Sequence, residues 1–252
     1  MTNTGKETLI TAAALAIGDE LLSGRTRDKN IGHLANALTQ QGIDLREVRI
    51  VPDVTSEIVE ALNALRSKYT HVFTSGGIGP THDDITADAV GIAFNVPVKH
   101  DPDAMQILQE HYGERSMEFT PARKRMARIP EGASLIDNPV SKAPGFQIEN
   151  VFVMAGVPAV FNAMLENVLA NLEGGTLMQS ETIVCSLGEG TIGDGLGDIQ
   201  KAHPETSIGS YPKFDGKTFS THIVIRSRTP EMIADAADSV RELIVRLQNN
   251  SV

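Results

Sequence analysis

Residues 9–17, Leu-Ile-Thr-Ala-Ala-Ala-Leu-Ala-Ile, run without a charge and stop at Gly18-Asp19-Glu20. An apolar run of that length with a polar end predicts a buried strand. Ile31, Leu34, Ala35 and Leu38 then recur at helical spacing, and Gly42 stands where such a helix would stop. Residues 43–51 alternate as a strand that ends in Val51-Pro52-Asp53. Ile58, Ala61, Leu62 and Leu65 share one face of a second helix, with Thr55 or Ser56 as its cap. Residues 70–74 form the next strand and feed a loop with three glycines in four positions, Gly76-Gly77-Ile78-Gly79. A helix over 85–94, a short extended piece at 97–100 and a helix opened by Asp101-Pro102 follow. Thr120-Pro121 repeats that signal before a basic helix. Residues 145–154 predict a hairpin turning at Glu149-Asn150, and Ala155-Gly156-Val157-Pro158 opens a helix that runs towards Gly174-Gly175.

Strands alternating with helices at this spacing predict a mainly parallel sheet covered on both faces. Ligands of such sheets sit at the carboxyl ends of the strands. Three loops should meet there: Gly18-Asp19-Glu20, Val51-Pro52-Asp53 and residues 75–84. After Gly174-Gly175 the rhythm changes. Strands at 180–187, 207–211 and 219–227, with helices near 190–202 and 230–247, predict a small α+β unit. The expected domains are therefore 8–174 and 176–252.

Composition narrows the function. The 252 residues carry a net charge of −10, no Trp and 4% aromatic residues. That balance argues against a nonspecific grip on nucleic acid and against base stacking. The single cysteine, Cys185, rules out an internal disulfide framework and a Cys-rich zinc site. No run approaches the ~18 apolar residues that span a membrane, and the polar start Met1–Glu7 has no signal-peptide core, so a cytoplasmic protein is expected.

The chemistry concentrates at 74–84. Glycines let backbone N–H groups approach an anion, and a following helix N-terminus favours negative charge. Asp83 and Asp84 have no place beside a phosphate unless a cation is also present or they perform chemistry. The alternative is that they cap the helix that follows. Mg²⁺ prefers one or two carboxylates together with phosphate oxygens and water, and Asp53 and Asp19-Glu20 add acids at the same sheet edge. The loop lacks the Gly-Lys-Ser/Thr of a P-loop.

Arg123, Lys124, Arg125 and Arg128 form a basic cluster that is either a solvated helix face or a phosphate contact. Residues 139–146 are rich in Pro and Gly and could close over a ligand, with Lys142 near an anion. Gly188-x-Gly190-x-x-Gly193 has dinucleotide-binding spacing, but Gly195 and Gly197 continue into the predicted helix and no second βα unit follows. Among the histidines only His82, inside the glycine loop, attracts attention.

The stretch Gly76-Gly77-Ile78-Gly79-Pro80-Thr81-His82-Asp83-Asp84-Ile85-Thr86 resembles the signature of the MoaB/Mog molybdopterin-binding fold, and within it the N-terminal domain of the competence/damage-inducible CinA group. Ile17–Leu22, Asn30 with its helix, Val51-Pro52-Asp53, Asn138-Pro139-Val140 with Ala143–Phe146, and Ala155–Pro158 match in the family's order. Ser207–Pro212 is similar to the segment that follows this domain in CinA-like proteins and in eukaryotic-type FAD synthases. The resemblance implies a three-layer α/β/α fold, a homo-oligomer, and a site for a phosphorylated pterin or adenine nucleotide; composition and hydropathy add the expectation that neither nucleic acid nor membrane is a partner. Asp84 falls on the family's catalytic acid and Asp53 on the acid of the preceding loop. A divalent metal, Mg²⁺ or Mn²⁺/Co²⁺, would sit on Asp83 and Asp84.

The expected ligand contacts on the first wall are Gly18, Asp19, Glu20, Ser75, Gly76, Gly77, Gly79 and Thr81. On the second they are Asn138, Pro139, Lys142, Ala143, Pro144, Gly145, Gly156 and Pro158. The adenylyltransferases of this fold usually have Thr where Ile78 stands and a basic residue where Asp83 stands. Those two differences favour metal-dependent hydrolysis of ADP-ribose- or FAD-type pyrophosphates, the activity associated with CinA-like proteins. Adenylyl transfer to molybdopterin and ligand binding without catalysis are the alternatives. The amidase domain carried by many CinA proteins is not expected, because the sequence ends at Val252.

Overall fold

Strand β1 (Thr11–Ile17) is an interior strand of a six-stranded sheet, flanked on both sides, as its unbroken apolar sequence requires. In the computed structural model, which describes residues 9–214 and 216–249, the sheet order is β2-β1-β3-β8-β7-β6. The polar start Met1–Glu7 and the last three residues lie outside the described residues.

The elements follow in βα alternation. A short α1 (Asp19–Leu22) and α2 (Asn30–Gln40) lead to β2 (Asp44–Val51), and α3 (Thr55–Arg66) leads to β3 (His71–Ser75). After α4 (Thr86–Phe94) come β4 (Val98–His100), α5 (Pro102–Glu114), α6 (Pro121–Arg125) and β5 (Arg128–Pro130), with β4 and β5 forming their own antiparallel pair. Then β6 (Ser134–Ile136), β7 (Gly145–Ile148), β8 (Val151–Met154) and α7 (Pro158–Ala170) complete the unit. β1 pairs in parallel with β2 and β3, and β3 with β8; β7 and β6 add an antiparallel edge. The hairpin turns at Glu149, with a left-handed φ of 48°.

Alternate residues of β1 feed two cores, which makes the three layers. Ala13, Leu15 and Ile17 pack with Ile58, Leu62 and Leu65 of α3 and Ala89 and Val90 of α4. Ala12 and Ala14 pack with Leu34 and Leu38 of α2 and with Phe161, Met164 and Leu165 of α7. Truncating a fully buried leucine such as Leu15 would cost about 2–5 kcal/mol.

Some local expectations need correction. The cap position of α3 is Val54, which makes no side-chain cap bond, so neither Thr55 nor Ser56 caps the helix; both already lie inside it. α7 ends at Ala170, and Gly174-Gly175 instead runs against the end of α2, where the Gly175 N–H donates to Gln41 O at 2.8 Å.

Packing divides the chain between Gly175 and Thr176. The second unit is an antiparallel sheet, β10-β11-β9, built from β9 (Gln179–Cys185), β10 (Ser207–Phe214) and β11 (Phe219–Ser227). α8 (Glu189–Ala202) and α9 (Pro230–Asn249) supply Ile192, Leu196, Ala237 and Val240 to its core. Gly190, Gly193, Gly195 and Gly197 all lie within α8. A β-carbon on Gly195 would stand 2.5 Å from a Leu243 methyl of α9. This glycine thus serves helix packing, against the dinucleotide reading of the motif. Cys185 is buried and free, a small core residue.

Candidate functional site

The three expected loops meet at the carboxyl ends of β1, β2 and β3. The Gly18 N–H donates to Val51 O at 3.1 Å, and the Asp19 N–H donates to Asp53 Oδ2 at 3.0 Å. Beside them opens a cleft of about 600 Å³. Its lining includes Gly18, Glu20 and Asp53 on one side, Gly76, Gly77, Gly79, Asp83 and Asp84 on another, and Asn138, Ala143, Gly156 and Pro158 opposite.

The glycine loop is fixed at its roots. The Gly76 N–H donates to Met154 O at 3.1 Å, which prolongs the β3–β8 ladder. That N–H is therefore spent inside the protein and cannot serve a phosphate. Gly76 has φ 110°, and a β-carbon there would lie 2.2 Å from Ile17 O. Thr86, fully buried at the start of α4, closes the other root: its N–H donates to Gly77 O and its hydroxyl to Gly76 O, each at 3.0 Å. Within the loop, Asp84 Oδ2 accepts the Thr81 N–H at 2.8 Å and the Thr81 hydroxyl at 2.5 Å. The residue at the cap position of α4 is Ile85, so neither Asp83 nor Asp84 caps that helix. Thr81 acts through Asp84 and does not itself line the cleft.

Asp53 is the electrostatically distinctive group. Burial raises its pKa above the ordinary carboxylate value; the Asp19 N–H opposes this, while the charges of Asp19, Glu20 and Asp83 add to it. Four carboxylates line the cleft, Glu20, Asp53, Asp83 and Asp84, and no Lys, Arg or His lines it among the described residues. No group of three or more His, Cys, Asp or Glu side chains is gathered closely enough to hold a metal unaided among the described residues. Two carboxylates completed by phosphate oxygens and water are sufficient for Mg²⁺, so Asp83 and Asp84 fit a metal that arrives with an anionic ligand.

The opposite wall is built by Asn138, which is almost fully buried. Its Oδ1 accepts the Val140 and Ser141 N–H groups at 3.1 Å each, and its Nδ2 donates to Ser141 Oγ at 2.6 Å and Ala143 O at 2.8 Å. Lys142, at φ 62°, belongs to this turn but not to the cleft lining, and Pro139 is likewise outside it. Pro144 is buried and faces a separate small cavity. Gly145 is wedged against Val153 O, where a β-carbon would stand 2.3 Å away. Asp19 lies outside the lining and acts on Asp53 through its N–H and its charge, Ser75 accepts from Asn30, and His82 is exposed on the loop.

Sequence reasoning named Asn30 only as part of the family match and missed its role and several other supporting groups. Asn30 donates from Nδ2 to Ser75 Oγ at 2.7 Å and to Gly156 O at 2.8 Å, joining the ends of β3 and β8. Asp28 accepts the N–H groups of Asn30 and Ile31 at the start of α2. Met126 and Ser141 line the cleft. The Asp-x-Asn spacing just before an amphipathic helix was the available signal for the first pair.

A three-layer unit with an acidic, glycine-walled cleft at the strand ends defines an α/β ligand-binding domain. The family described as "Probable molybdopterin binding domain" matches residues 13–174, and the one described as "FAD synthase, middle domain" matches residues 177–248. The chain belongs to the molybdopterin-binding-domain (MoaB/Mog) family and is CinA-like. A crystal structure of the protein CinA from Thermoplasma acidophilum is 32% identical, with a TM-score of 0.61 over 65% of this chain and 98% of that one. A "CinA-like protein" from Desulfosudis oleivorans is 35% identical over 81% of this chain and 52% of its own length. A "Probable FAD synthase" from Caenorhabditis elegans is 31% identical over 93% of this chain and 50% of its own. The chain thus spans about half the length of these two relatives. Among the described residues, no helix is long and apolar enough to cross a membrane.

Proposed function

We propose that this chain is a metal-dependent hydrolase of the diphosphate linkage in ADP-ribose- or FAD-type nucleotides. The observation that carries the reading is the charge of the cleft, lined by four carboxylates and no basic side chain among the described residues. A diphosphate entering alone would be repelled by those carboxylates, whereas one chelating a divalent cation would be attracted. Asp83 and Asp84 would hold that cation, with Thr81 fixing one oxygen of Asp84. When bound, a divalent metal offsets charge on the phosphoryl oxygens and lowers the pKa of a coordinated water.

The remaining work falls to the chain itself. Gly77 and Gly79 bring main chain to the phosphates without side-chain obstruction. Asp53, steadied by the Asp19 N–H and with a raised pKa, is suited to accept a proton from the attacking water. The water oxygen bonds to phosphorus, the bridging P–O bond breaks, and AMP leaves with the other phosphate ester as co-product.

The test is AMP release from ADP-ribose and from FAD with Mg²⁺, Mn²⁺ or Co²⁺, compared with Asp84→Ala. No release above that variant with any of the metals overturns the proposal. The match to the molybdopterin-binding family supports a second reading, adenylyl transfer to a pterin phosphate at the same site. Formation of adenylylated molybdopterin from ATP and Mg²⁺ would establish it instead.

A further inference from the structure

The basic cluster offers two readings in the sequence, a solvated face or a phosphate contact, and three of its four members have other work. The Arg123 guanidinium lies 4.3 Å over the Tyr112 ring, and Lys124 Nζ lies 5.5 Å over the Phe119 ring. Arg128 grips both carboxylate oxygens of Asp88 on α4, with Nη1 2.8 Å from Oδ2. None of the four lines the cleft.

Arg125 is different. Its Nη2 donates to the backbone carbonyl of Asp84 at 3.0 Å, and the same nitrogen lies 3.8 Å from Asp88 Oδ2. With Arg128 it faces a small cavity of about 10 Å³ beside Gly77, Ile78, Gly79 and Asp84.

The hydrogen bonds of the loop give this contact its weight. The bonds between Thr81 and Asp84 are internal to the loop, so they set its shape but not its location. Thr86 and Met154 anchor the roots at Gly76 and Gly77. Among the described residues, the bond from Arg125 is the only one that ties residues 78–84 to the rest of the unit. Asp88 in turn is shared between Arg125 and Arg128, which fixes the guanidinium from α4 and β5.

We infer that Arg125 is a positioning residue that sets where Asp84 presents its carboxylate to the cleft. The consequence for ligand binding rests on the role of Asp84 proposed above. The positioning itself does not, and it can be read in the free protein.

The experiment is amide hydrogen exchange by NMR on the full chain without ligand, for wild type, R125A and D88N. The Thr81 N–H, which donates to Asp84 Oδ2, reports the loop, and the Ile31 N–H, which donates to Asp28, serves as the reference. R125A is expected to exchange at Thr81 about ten-fold faster with Ile31 unchanged, and D88N to show a smaller change in the same direction. If R125A does not fold, D88N carries the same test. Unchanged Thr81 exchange in the variants that fold overturns the inference. In parallel, calorimetric binding of Mn²⁺ presented with ADP, which brings its own phosphate oxygens, should weaken about ten-fold in R125A and partly recover in R125K. A wild-type chain that neither binds Mn²⁺ with ADP nor releases AMP sinks the proposed function, while the exchange rates still decide the role of Arg125.

Discussion

The carboxylate of Asp84 rests against the Cα of Gly79: a β-carbon on Gly79 would stand 2.7 Å from Asp84 Oδ2 and 3.0 Å from Oδ1. Gly79 has no left-handed φ, so alanine can adopt its backbone, and the group that must move is the carboxylate. Gly79→Ala is therefore expected to leave the melting temperature nearly unchanged and to lower AMP release about a hundred-fold, the scale set by displacing a reacting group by about 1 Å. Activity equal to wild type would show that the placement of Asp84 does not matter.

Gly76 should behave in the opposite way. Its φ of 110° and the backbone oxygen of Ile17 at 2.2 Å from a built β-carbon leave no flexible atom to yield. Gly76→Ala is expected to cost about 2–4 kcal/mol of unfolding free energy, measured by denaturant titration. A loss under about 1 kcal/mol would mean that the ends of β1 and β3 separate easily.

The raised pKa of Asp53 gives a kinetic signature. If Asp53 takes the proton, kcat/KM falls with acid through a pKa raised above the ordinary aspartate value, and Asp19→Asn moves that limb to lower pH by removing a neighbouring like charge. An acid limb that Asp19→Asn leaves in place counts against Asp53 as the base.

Stability gives the same group an independent check. A carboxyl with a raised folded-state pKa contributes stability that is present below its unfolded value and lost as pH rises through the folded one. At neutral pH Asp53 is thus a cost, and Asp53→Asn, which keeps an acceptor for the Asp19 N–H, should raise the unfolding midpoint. The gain should stay below about 1 kcal/mol, because the group is only partly buried and solvent screens it.

His71 predicts an acid-side loss. Burial lowers its pKa, its Nδ1 is buried without a hydrogen-bond partner among the described residues, and its ring centroid lies 5.8 Å from that of Phe152. A histidine held neutral contributes stability that is present above its unfolded pKa of about 6.5 and lost as pH falls below it. His71→Phe should flatten the stability profile between about pH 7 and pH 5 without destabilising the chain at pH 7. An unchanged slope would place the titrating group elsewhere.

The parts of the fold legible in the sequence are those whose signal is local. The apolar run of β1, the helical spacing of Ile58, Ala61, Leu62 and Leu65, and the glycines at 76–79 each declare themselves within a few residues. β4, β5 and β6 have three residues apiece, too few to establish a period, and were read at most as one extended piece. The meeting of Asp53 with the glycine loop could be inferred, because the ends of adjacent parallel strands must be neighbours. The roles of Arg125 and Asn30 could not. Each depends on a partner far away in sequence, Asp84 at 41 residues and Gly156 at 126, and a basic run looks the same whether it meets a phosphate or a carbonyl. Lys142 misled for a related reason: its place in a left-handed turn depends on the Asn138 side chain, not on its own charge.

The pairing of β3 with β8 also sets an order of assembly. His71–Ser75 pairs with β1 on one side but finds its second neighbour only at Val151–Met154, so that ladder and the Gly76 N–H that extends it must close across about eighty residues of intervening chain. During synthesis the first half of the cleft waits, unsupported, until that stretch has emerged. Closure of this long excursion is the slow, nonlocal event expected to govern how fast the unit matures, and a ribosome-bound chain halted before β8 should be readily cut at 76–84 by a protease that spares the finished protein.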